Sequence, residues 1–219
     1  MTLQLLIANK NYSSWSVRPW LVLRHFGIPF EARLGRLLLA AVQNDDATET
    51  ITDWSAAGRV PVLRDGDLTV WESLAIIEYL ADTYPGAGIW PKDPKQRARA
   101  RAVSAEMHAG FGALRSEMPM NTRRRYERFP VGDACMADIE RSKALWTDCF
   151  DRSGGPFLFG AFCGADAMFA PVVSRFRTYA VPLEGRCAEY ADAVWALPTV
   201  KEWLEEAAAE PGRIPMYEF

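Results

Sequence analysis

Cysteine is missing from the first 134 residues of the chain, and the four that follow, Cys135, Cys149, Cys163 and Cys187, share no C-x-x-C spacing. Dithiol chemistry therefore has no seat in the first half. With two histidines in all, His25 and His108, to join scattered cysteines, no metal site is expected. Reduced, buried thiols are the expectation instead. Nor does any apolar run approach the ~20 residues that a membrane-spanning helix needs. The opening Met1-Thr2-Leu3-Gln4-Leu5-Leu6-Ile7 lacks a basic leader and a small-residue cleavage site. These absences lead us to expect a soluble, cytoplasmic protein without a membrane partner. Charge of one sign is also lacking: 25 basic against 28 acidic side chains leave a net −3, which gives nucleic acid nothing to read. The arginine runs at 97–101 and 123–125 read as solvated helix faces.

What is present falls into two halves of different periodicity. Leu3, Leu5 and Ile7 share one face of a period-two pattern and predict a first strand. Val17, Trp20, Leu21 and Leu23 predict a helix, with Gly27 placed to stop it, and residues 29–34 suit a second strand. The βαβ order favours a parallel pair. Asn44, Asp45, Asp46 and Thr48 indicate turns, and Ile51 and Trp54 a short helix. Val60-Pro61-Val62-Leu63 and Leu68-Thr69-Val70-Trp71 flank Asp65-Gly66, a two-residue turn pair. Leu74, Ile77 and Ala81 then predict a helix broad enough to pack on a sheet. The order βαβαββα is that of a thioredoxin-like domain.

Past Tyr84-Pro85-Gly86 strand signals nearly vanish. Asp93-Pro94 supplies an N-cap and a first-turn proline, and helices are predicted over about 94–120, 133–152, 166–180, 184–194 and 198–209. The third carries the stripe Phe169, Val172, Val173, Phe176 and Ala180. The expected fold class is thus α/β plus all-α: a thioredoxin-like domain over 1–83, a linker over 84–91 and an all-helical domain over 92–219.

Val60-Pro61 and, ten residues on, Glu72-Ser73 bear the chemistry. A proline entering a strand at a turn leaves the Val60 backbone free to pair with an extended peptide ligand. Glu72 and Ser73 stand where a strand feeds a helix. There the free N–H groups and the Ser73 hydroxyl suit a carboxylate, and Glu72 suits an ammonium. Carboxylate and ammonium on one carbon describe an α-amino acid. Each pair taken alone could be a strand entry or a helix cap; in this order they are specific.

Val60-Pro61 followed by Trp71-Glu72-Ser73-Leu74-Ala75-Ile76-Ile77-Glu78-Tyr79-Leu80-Ala81 resembles the glutathione-site signature of cytosolic glutathione S-transferases. Gly164-Ala165-Asp166-Ala167-Met168-Phe169-Ala170-Pro171 resembles the segment that opens that family's core helix, with Cys163 where the family has serine or threonine. Ser13-Ser14-Trp15-Ser16-Val17-Arg18 looks nearest to the zeta and related bacterial serine-type classes. The resemblance implies glutathione as co-substrate, Val60 pairing with its backbone, a cis Pro61, and Glu72 and Ser73 on its γ-glutamyl group. Arg59 could reach the glycyl carboxylate. It also implies a hydroxyl donating to the glutathione sulfur. Ser14 and Ser13 are the chemically sensible donors and Tyr12 follows them, while gapless alignment of the motif puts Asn11 at the usual serine. A small electrophile would lie between this region and the helix near 100–120, among Met107, His108, Phe111 and Arg115. A homodimer is implied as well. Three functions stand open: transfer of glutathione to a hydrophobic electrophile, a zeta-like cis–trans isomerisation, and non-catalytic glutathione binding.

Overall fold

The computed structural model describes residues 2–36 and 49–219; the turns expected at Asn44–Thr48 lie outside them. Strand β1 (Leu3–Ile7) is buried at the centre of a five-stranded sheet of order β3-β2-β1-β4-β5. β2 (Phe30–Arg36) runs parallel to it, joined by α1 (Val17–His25), and β4 (Val62–Asp65) runs antiparallel on its other side. β5 (Leu68–Trp71) completes the hairpin. One strand goes beyond the expected order: two-residue β3 (Glu49–Thr50) pairs with β2 just before α2 (Ile51–Trp54). The hairpin loop also differs from expectation by one residue. Asp65 pairs with Leu68, so the loop residues are Gly66 and Asp67, and Gly66 takes the positive φ of 60°.

Helix α3 (Ser73–Thr83) packs on the sheet through Ile76, Ile77 and Leu80. The helical half begins with α4 (Pro94–Ala109), whose N-cap Asp93 accepts from the Gln96 N–H at 2.8 Å. The single helix expected over 94–120 is two. α4 ends at Gly110, and α5 (Gly112–Glu117) starts after Phe111, which sits in the left-handed region at φ 59°. A Cβ on Gly110 would lie 2.9 Å from the Glu106 carbonyl oxygen, so glycine is what permits the break. α6 (Asp133–Ser153), α7 (Gly164–Thr178), α8 (Gly185–Ala196) and α9 (Pro198–Ala209) follow.

α7 is the axis of this half. It packs against α1, α4 and α8, and every one of its residues except Arg177 is buried. A hydrophobic core continuous from Leu5 and Leu63 in the sheet to Trp146 and Phe176 encloses it. Its first turn keeps a capping box despite Cys163. Asp166 accepts from the Cys163 N–H at 2.8 Å and from the Leu158 N–H at 3.0 Å. Burial raises the Asp166 carboxyl to about 6, against the pull of those two N–H groups. All four cysteines are free and buried. No helix among the described residues is long and apolar enough to cross a membrane.

Removing the Asp166 carboxylate strands two buried N–H groups, each costing roughly 1–3 kcal/mol. Asp166→Ala is therefore expected to lower the unfolding free energy by about 3 kcal/mol. Urea denaturation would read this as a shifted midpoint at unchanged slope.

Candidate functional site

Two adjoining cavities open where the sheet meets the helical half. The first, about 410 Å³, is walled by Trp15, Arg59, Val60, Pro61, Trp71, Glu72 and the His108-Ala109 pair. The second, about 250 Å³, shares Trp15, Arg59 and Val60 with it and adds Asn9, Tyr12 and Ser13 with Ile214 and Tyr217. Trp15, with Arg59 and Val60, forms the partition between them.

The floor of the first cavity is the junction of β5 and α3. The peptide bond between Val60 and Pro61 is cis, and the Val60 N–H and C=O form no hydrogen bond with the described residues. Glu72 holds φ 70° and ψ 125°, a conformation costing a non-glycine residue on the order of 1–3 kcal/mol. Such a cost is sustained where a particular side-chain direction is needed. Directly after it, Ser73 is fully buried, and its hydroxyl has no hydrogen-bond partner among the described residues. The free N–H groups of the first turn of α3 surround it. Opposite, His108 Nε2 lies 3.5 Å from Glu72 Oε2. Burial, and then the charge of Arg18, hold this imidazole below its usual range, against the opposing charge of Glu72. His108 thus carries less positive charge near neutral pH than an ordinary imidazole would.

The four candidate donors on the β1–α1 loop are placed very differently. Asn11 is fully buried, with Nδ2 given to Asn121 at 2.9 Å and Oδ1 accepting from the Thr122 hydroxyl at 2.8 Å and the Arg123 N–H at 3.0 Å. It lines neither cavity. Tyr12 presents its ring to the second cavity, but its hydroxyl donates to Glu218 and accepts from Arg123 at 3.0 Å. Ser14 is buried and accepts from Arg175 Nη2 at 3.2 Å, also outside both linings. Ser13, half-buried, lines the second cavity, and its hydroxyl is the one polar group of the four not bonded to a distant segment among the described residues. That hydroxyl accepts from the Ser16 N–H at 3.3 Å and donates to Ser16 Oγ at 2.7 Å, a proton that rotation about Cβ–Oγ could turn to a ligand.

Of the four side chains expected around an electrophile, His108 reaches a cavity. Met107 and Phe111 are core residues, and Arg115 lies beside the Trp15 ring and donates to the Met107 and Gly110 carbonyls. The far wall is instead the C-terminal tail. Glu210 accepts from the Lys10 N–H at 2.9 Å, Arg123 donates to the Glu210 and Gly212 carbonyls at 2.8 and 2.9 Å, and Glu218 accepts from Asn121 at 3.0 Å. These bonds set Ile214 and Tyr217 over the cavity, with the Tyr217 ring 5.9 Å from that of Tyr12. In the sequence Trp15 and Trp71 were marked only as motif members, not as cavity residues, and Ile214 and Tyr217 not at all. No spacing rule joins a tail residue to a loop 200 positions away.

Residues 12–83 match the family model described as the glutathione S-transferase N-terminal domain. Over the whole chain, a glutathione transferase homolog from Burkholderia gl BGR1, solved with bound glutathione, superposes with a TM-score of 0.72 at 25% identity, covering 95% of this chain and 98% of that one. The chain belongs to the cytosolic glutathione S-transferase family. Within it, a probable maleylacetoacetate isomerase of Caenorhabditis elegans is 36% identical over 101 residues, 46% of this chain and 44% of that protein. Glutathione S-transferase F14 of Arabidopsis thaliana is 54% identical over 165 residues, 70% of this chain and 61% of the plant protein. The chain thus spans less than half the length of the isomerases it matches.

The two serines of this family member divide into a cavity residue and a buried acceptor. Ser14→Ala leaves a guanidinium nitrogen of Arg175 unsatisfied and is expected to cost about 1–3 kcal/mol of stability. Its affinity for glutathione should stay within about twofold, well below the tenfold of one lost strong contact. Chemical denaturation and calorimetry on the same preparation would check both.

Proposed function

We propose that the chain binds glutathione in the first cavity and holds an electrophile in the second, as a glutathione transferase. The observation that carries this reading is the unpartnered, buried Ser73 hydroxyl at the start of α3, directly behind the backbone-strained Glu72. A γ-glutamyl carboxylate would accept from Ser73 and the α3 N–H groups, and its ammonium would meet Glu72. The cysteinyl backbone would pair with Val60 as an added strand does, with Arg59 near the glycyl carboxylate. The sulfur then falls at the Trp15 partition beside Ser13, whose hydroxyl donates to it. Once ionised, the thiolate attacks an electrophilic carbon: sulfur's electron pair forms the new S–C bond, and the leaving group departs with its own pair or, in an addition, the adjacent carbon takes up a proton.

The domain division at 1–83 and 92–219 and the cytoplasmic location belong to the same reading. So does a homodimer. Leu68 and Trp71 on edge strand β5 and Met136 on α6 are large apolar side chains left 44%, 51% and 47% exposed, on the sheet half and the helical half respectively. Sheet-to-helix packing between two copies would cover both.

The similarity to proteins named maleylacetoacetate isomerases favours a second reading, in which glutathione adds to a cis double bond, allows rotation and leaves. Turnover of a cis-unsaturated dicarboxylate with none of aryl halides would select it.

Calorimetry with glutathione tests both readings, and absence of binding at millimolar ligand would overturn them. Ser73→Ala should weaken binding about 10- to 100-fold, the loss of one charge-assisted hydrogen bond. Ser13→Ala should lower kcat on the order of 100-fold with affinity for glutathione nearly unchanged, since its bond strengthens as sulfur becomes anionic.

A further inference from the structure

Beside the partition between the cavities lies a group of charges that no acid neutralises. Arg18, in the first turn of α1, is fully buried. Its Nε donates to the Met168 carbonyl at 3.2 Å, while Nη1 and Nη2 meet no hydrogen-bond partner among the described residues. Its guanidinium carbon stands 4.2 Å from the centroid of the Trp15 ring, and that of Arg115 stands 5.4 Å from the same ring. Arg175 of α7 is buried too, and spends its nitrogens on the Met118 and Pro171 carbonyls and on Ser14 Oγ. Among the described residues none of the three guanidinium groups is hydrogen-bonded or ion-paired to a carboxylate. Burial and mutual repulsion push Arg18 down and bring Arg175 to about 10.

The other charged and titratable groups around this cluster do not cancel it. From α4, His108 is held below its usual range by burial and then by Arg18, so it adds no fixed counter-charge. From the α3 start, Glu72 faces His108 and the first cavity. From α6, Asp138 attracts Arg115 but accepts from the Leu114 N–H. Tyr12 is tied to Glu218 in the tail, and Arg59 adds a further cation on the cavity wall. Buried cations without a counter-ion are costly, and they concentrate where a bound group supplies the missing charge. The anion this site would generate is a thiolate, at the Trp15 partition.

We propose that Arg18, supported by Arg115 and Arg175, is a positioning residue for glutathione ionisation, its unneutralised charge stabilising the thiolate beside Ser13 and Val60. The inference rests on the reading of the site as one for glutathione. In this step the S–H bond breaks heterolytically, the electron pair stays on sulfur, and the proton passes to bulk water. Ser13 supplies a local hydrogen bond, and the arginine cluster supplies a field that salt screens weakly because its sources are buried. Both lower the pH at which the thiolate forms; the hydroxyl also fixes where it lies.

The test is a titration of enzyme-bound glutathione, followed by the ultraviolet absorbance of the thiolate, in the wild type and in Arg18→Met, Arg18→Lys and Arg115→Met. In the wild type the bound thiol should ionise well below its free value of about 8.5. Arg18→Met should raise it by about one unit or more, Arg18→Lys should restore most of the shift, and Arg115→Met should raise it by less. Affinity for the un-ionised thiol, measured by calorimetry at low pH, should stay within a few-fold. Far-ultraviolet circular dichroism checks folding; should Arg18→Met fail to fold, Arg18→Lys and Arg115→Met decide alone. A bound thiol at its free value in the wild type, or unchanged in every folded variant, overturns the proposal while leaving glutathione binding intact. No binding by the wild type overturns the underlying reading instead.

Discussion

A buried charge must be satisfied by hydrogen bonds, and the two buried charged side chains of α7 are satisfied in ways that reach the loop beside the second cavity. Its N-terminal carboxylate, Asp166, gathers the N–H groups of Leu158 and Cys163. Near its C-terminal end Arg175 gathers the Met118 and Pro171 carbonyls and the Ser14 hydroxyl. The first set fixes where α7 begins against the sheet half. The second ties the β1–α1 loop to the segment that ends α5. The loop that carries Ser13 is thus held from below by a residue 161 positions away. Apolar burial supplies the driving force for this arrangement, and polar satisfaction selects its geometry.

The tail holds the same loop from above. Glu210 accepts from the Lys10 N–H, and Tyr12, Arg123 and Glu218 form a connected set in which each polar group has a partner. Fully satisfied networks of this kind rigidify what they join. Gripped on both sides, the loop lines the cavity with Tyr12 and Ser13. Four polar side chains stand in sequence there; three are bonded to segments more than 100 residues away, and Ser13 is bonded only to Ser16.

Much of the fold was legible because local rules and burial agreed. Leu3–Ile7 alternates and is a strand; Asp93-Pro94 caps and starts α4; Pro198 opens α9. Where they failed, a single residue decided. Gly110 allows a close approach to a carbonyl oxygen and splits one expected helix into α4 and α5. β3 is two residues long, too short for any alternation to register. Cys163 has a weak acceptor where a hydroxyl was expected, yet the capping box forms because the Asp166 carboxylate holds its other half.

The grouping of residues on the floor of the first cavity was legible for a local reason. Val60-Pro61 and Glu72-Ser73 lie within one hairpin and the helix after it, so short-range geometry determines where they point. The sequence alone therefore determined the two-part architecture, the family, and the residues grouped on the floor of the first cavity. The placements of Asn11, Tyr12, Ser13 and Ser14 could not be read that way. Each is settled by a partner more than 100 residues distant, or by the absence of one, and neighbouring side chains on a loop can be turned to opposite sides by such bonds. Only the tertiary structure decided that Ser13 lines the cavity without a distant partner, that the tail walls it, and that buried Arg18 and half-buried Arg115 stand beside the Trp15 ring. Those facts belong to packing between distant segments, which no local pattern encodes.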